Sequence, residues 1–82
     1  MRTSAFPRAE AENLMLRSQL MSRIHEMARG ITPAKGAKCF GITQPCLNRV
    51  LRGEIDEFSV DALINMMVSA GLRVQLRVRT IR

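Results

Sequence analysis

From about Arg8 to Arg29, and on to Ile31, apolar side chains return every three or four positions, at Leu16, Leu20, Ile24, Met27 and Ile31, with Met21 and Ala28 beside them. A repeat near 3.6 lines them along one side of a helix, so the stretch predicts a long amphipathic helix that Gly30 ends. Thr32 followed by Pro33 reads as an N-cap with proline at the first helical position, where its missing N–H costs nothing. A short second helix therefore runs from about Pro33 to Phe40. Gly41 supplies the left-handed residue of a tight exit, and Thr43 caps a third helix over Gln44 to Arg52, with Pro45 tolerated in the first turn. Gly53 stops it. After an acidic loop, Ser59 caps a fourth helix in which Val60, Leu63, Ile64 and Met67 share a face, and Gly71 terminates it. The period then changes to two: Leu72, Val74, Leu76 and Val78 alternate with Arg73, Gln75, Arg77 and Arg79, which predicts a half-buried β-strand.

That is the only strand signal in the chain, and a lone strand leaves its backbone groups unpaired. Pairing with a second copy of itself is the simplest solution. The expectation is a two-fold dimer in which Leu72, Val74, Leu76 and Val78 form the dimerisation face, the alternative being pairing with residues 3–6 of the same chain. The reading divides the chain into an N-terminal arm (1–7), a helical domain (8–71) and a C-terminal strand with basic tail (72–82).

The chain has 82 residues, of which 46% are hydrophobic and 24% charged. This suits one folded domain with a thin core that association can supplement. Two cysteines and one histidine cannot complete a four-ligand zinc site, and two cysteines are too few to staple a secreted mini-protein. Free thiols in a reducing compartment are expected, with no cofactor and no metal. No apolar run approaches the ~18 residues of a membrane span, and MRTSAFPRAEAEN has no apolar signal core, so a cytoplasmic protein with no membrane contact is expected. No nucleophile–base pair is visible, which argues against an enzyme.

Thirteen Lys and Arg against seven acids give a net charge of +6, and their distribution is uneven. Residues 31–52 carry Lys35, Lys38, Arg49 and Arg52 with no acid. Residues 53–62 carry Glu54, Asp56, Glu57 and Asp61 with no base, and Arg73, Arg77, Arg79 and Arg82 follow without an acid. Such segregation points to a segment that faces a polyanion and to a separate basic tail.

The second and third helices, joined by Gly41-Ile42-Thr43, have the spacing of a helix-turn-helix. Ala37 lets the helices cross closely, Gly41 makes the turn, and Leu47 and Val50 pin one helix to the other. A plain helical hairpin could use the same turn, but the absence of acids favours DNA. In this geometry the third helix lies in the major groove of double-stranded DNA. Gln44, Cys46, Asn48 and Arg49 would then face base edges, with Gln44 suited to adenine and Arg49 to a forked contact with guanine. Thr43 and the free N–H groups beside Pro45 suit a phosphate, as do Lys35, Lys38 and Arg52.

ENLMLRSQLM at 12–21, GITQPCLNRVLRGEIDEFSVDALINMMVSAGLRV at 41–74 and the alternating tail resemble a family of small bacterial Xre/Cro-type helix-turn-helix proteins. These are transcriptional regulators or antitoxins of the host-inhibition-of-growth type. The resemblance implies a lambda-repressor-like, mainly α bundle of four to five helices, an operator-binding dimer that reads an inverted repeat, and often a neighbouring small basic toxin that cuts messenger RNA on the ribosome. Three departures stand out. Cys46 replaces an arginine that the family has after Gln-Pro, which removes a charge from the reading face. Thr32-Pro33 replaces Thr-Gln at the start of the second helix, which also contains Gly36 beside Ala37 where the family has two alanines. Cys39 stands at a leucine position, which implies a small core residue.

The functional expectation is a sequence-specific repressor, with the antitoxin role resting on the resemblance. The alternative is a toxin-neutralising or other protein-binding adaptor with weak or no specific DNA binding, acting through an arm at 1–13 or the tail arginines. Cys46 near a helix N-terminus could act as a redox switch, though a neutral substitution is the plainer reading. His25 reads as a surface residue, Met21, Met27, Met66 and Met67 as core filler, and Phe58 as an anchor for the acidic loop. Within that loop the acids either point away from DNA or pair locally, Asp56 with Arg52.

Overall fold

The computed structural model describes residues 7–75 and 77–80. It is mainly helical, with α1 over Pro7–Ala28, α2 over Pro33–Phe40, α3 over Gln44–Leu51, one 3-10 turn over Ile55–Glu57 and α4 over Val60–Ser69. Helix α1 packs on α4 and α3, while α2 packs on α3 and α4. The apolar stripe of α1 accounts for this arrangement: Leu20, Met21 and Ile24 are buried, with Leu16, Met27 and Ala28 at the margin. Ile24, Phe40, Leu47, Val50 and Leu63 form the fully enclosed centre. The first two turns of α1 stand clear of the core, and Leu14 and Met15 are exposed there. Met66, Met67 and Phe58 are buried in the same cluster, as fillers and as an anchor. No helix among the described residues is long and apolar enough to cross a membrane.

Within the single chain, segment 72–80 does not form the expected strand. Leu72 and Val74 are half-buried against the core, but no described residue of the segment belongs to a strand, and Val78 is 82% exposed. The physical reason is that alternation supplies a face but no ladder: strand hydrogen bonds need a neighbouring backbone. Leu76 and the same-chain candidate partner 3–6 lie outside the described residues.

Candidate nucleic-acid interface

Both short helices are closed by side chains and turns that the sequence supplies locally. Thr32 Oγ1 accepts from Lys35 N at 3.3 Å and Thr43 Oγ1 from Cys46 N at 3.2 Å, so each helix begins with a hydroxyl cap and carries a proline in its first turn. At the end of α2, Gly41 adopts φ 70°, its N–H donates to Lys38 O at 3.2 Å, and Ile42 N–H donates to Ala37 O at 2.9 Å. This left-handed closure reverses the chain within three residues and brings α3 across α2. A Cβ at Gly41 would stand 2.7 Å from Ser69 Oγ, so α4 leaves no room there either.

The close crossing depends on Gly36 as well as Ala37. Both are buried, and a Cβ at Gly36 would come within 2.9 Å of Leu47 Cδ2. The residue that weakens α2 as an isolated helix is therefore the one over which Leu47 seats.

Leu47 and Val50 turn α3 inward, leaving Gln44, Pro45, Asn48, Arg49 and Arg52 exposed. Positions i, i+1, i+4, i+5 and i+8 make one continuous outer stripe. Cys46 is not part of it. It is half-buried and packs against the core, because four residues on it shares the flank of Val50. Cys39, expected in the core, is exposed on α2, where Phe40 and Ala37 take the inward positions. Lys35 and Lys38 are exposed on α2, and His25 is exposed on α1.

Sequence reasoning missed how the acidic segment is held. Arg17 on α1, half-buried, donates from Nη1 to Ile55 O at 2.8 Å and to Phe58 O at 3.4 Å. Its only sequence signal is a cation flanking the apolar stripe beside Leu16. Arg52 Nε donates to Glu54 Oε2 at 2.8 Å, so the local pair forms with Glu54 and not with Asp56. Arg49 Nη1 lies 3.9 Å from Glu57 Oε1. Among the described residues no group of three or more His, Cys, Asp or Glu side chains could hold a metal ion.

A family model described as a helix-turn-helix domain matches residues 4–79, a span that contains this capped helix, its turn and the helix it crosses. The chain belongs to that helix-turn-helix family. Among curated proteins none matches it. Family membership makes this helix-turn-helix protein a DNA-binding regulator in general terms.

Proposed function

We propose that this protein is a sequence-specific transcriptional repressor of the Xre/Cro kind, a cytoplasmic binding protein without catalytic activity that acts as a homodimer on an inverted repeat. Gln44, Asn48 and Arg49 read base edges in the major groove, and Thr43, Lys35 and Lys38 hold the phosphates. The observation that carries the reading is the outer stripe of α3, exposed from its capped N-terminus onward in a stretch, 31–52, that contains no acid. Two copies would place their α3 helices on half-sites about 34–36 Å apart, with the alternating 72–79 segments pairing across the two-fold axis. An antitoxin role that represses its own operon rests on the resemblance of the G-I-T-Q-P, L-R-G and F-S-x-D-x-L blocks.

Titration against the DNA upstream of its own gene and a scrambled duplex, at low and physiological salt, tests the proposal. Preference of at least ~10³-fold for the upstream DNA is the expected result. Equal, steeply salt-dependent binding to both duplexes would overturn it. The adaptor reading would then gain, and one observation favours it already: Leu14 and Met15 are exposed on the projecting half of α1, next to the 1–13 arm.

A further inference from the structure

The acidic segment after α3 is placed by the fold on the cations of that helix. Gly53, at φ 75°, turns the chain back so that Glu54 N–H donates to Arg49 O at 3.1 Å while the Glu54 carboxylate accepts from Arg52 Nε. One 3-10 turn later Glu57 stands beside Arg49. The turn is held from behind by the Arg17 guanidinium on two of its carbonyls and by the buried Phe58 ring. Both ion pairs are open to solvent, with Arg49 and Glu57 side chains 54% and 55% exposed, so they add little to stability. Their electrostatic effect falls instead on whatever approaches the outer stripe of α3.

Resting on the DNA-binding reading above, we propose that Glu54 and Glu57 are specificity-determining residues: they neutralise Arg52 and Arg49 toward phosphate while leaving Arg49 able to read a base. A phosphate contact is driven by net charge, and here each cation already carries a carboxylate that would be brought toward the polyanion. A forked contact to guanine is driven by the geometry of two N–H donors. A guanidinium has five, so one edge can face Glu57 while another faces guanine O6 and N7. Generic binding is therefore penalised more than cognate binding. Thr43, Gln44 and Asn48 on the same helix are uncharged, so their contacts carry no such penalty.

The test compares the full-length wild type with E54Q/E57Q on a random-sequence duplex and on the upstream DNA, over a series of salt concentrations. Two unit charges about 6 Å apart in water interact by about a threefold factor, so the double variant is expected to bind the random duplex about tenfold tighter. Its salt slope on the random duplex steepens by about two, and the upstream affinity changes by less than about threefold, so discrimination falls. E10Q/E12Q makes the same change in net charge on the projecting half of α1 and is expected to leave the discrimination ratio at the wild-type value. Equal tightening on both duplexes, no tightening on either, or the same loss of discrimination in E10Q/E12Q overturns the proposal while the DNA-binding reading stands. A wild type that discriminates between no duplexes overturns that reading, and this proposal with it. The single variant E57Q, at the longer and more exposed pair, serves should the double variant fold poorly.

Discussion

The helix-turn-helix at 33–51 and the segment 72–80 carry equally regular amphipathic patterns, yet only the first completes a structure within one chain. Helices α2 and α3 satisfy their interior hydrogen bonds internally, and Thr32, Thr43 and Gly41 close their ends. The tail has the inward side chains Leu72 and Val74 against the core, but its backbone has no ladder, and Val78 points at solvent. A helix is a local solution to backbone satisfaction, whereas a strand is a request for a neighbour.

The contrast can be broken most severely at its centre. Leu47, 1% exposed and seated over Gly36, is the joint of the motif, so Leu47→Ala is expected to cost about 2–5 kcal/mol in urea unfolding. A loss below 1 kcal/mol on that scale would mean that α2 and α3 are held by something else. On the outer stripe the effect should appear in binding alone. Arg49→Ala is expected to weaken cognate DNA binding by about 1–3 kcal/mol and relax specificity, with the melting temperature unchanged. Wild-type affinity for every duplex would remove Arg49 from the reading face.

Gly41→Ala should cost about 1–2 kcal/mol from its left-handed backbone, beyond the clash with Ser69. Adding Ser69→Gly should recover only the steric part, a difference that calorimetry of the two variants resolves. The smallest effect belongs to the tail. Val78→Lys should leave the fold unchanged and weaken self-association by roughly 1 kcal/mol, about fivefold in the dimer dissociation constant by sedimentation. A wild-type chain that stays monomeric at all concentrations would dispose of the cross-subunit ladder.

Helix boundaries were legible because their signals are local. Thr32-Pro33, Thr43, Ser59 and the glycines that follow each helix act within one turn, and the observed ends agree with the pattern to within a residue or so. The inward faces of α1 and α4 followed from periodicity over many residues. The two short helices offered fewer positions to average, and there the reading slipped. Cys46 lies on the flank of Val50 and Cys39 faces solvent, facts that depend on how α2 and α3 are rolled against α1 and α4. Resemblance misled at Cys39 by carrying over a leucine's position without its burial.

By itself the sequence determined four helices, their caps, a turn that sets two of them across each other, and a cation-bearing stretch free of acids. Each of these follows from backbone conformations and charges that act over a few residues. Tertiary structure alone decided that Arg17 holds the acidic turn, that Glu57 stands against Arg49, and that Gly36 is a seat for Leu47. These arise where separate elements meet in space. The hydrogen bonds from Arg17 span 38 and 41 residues, and no periodicity in one segment carries information about contact with another.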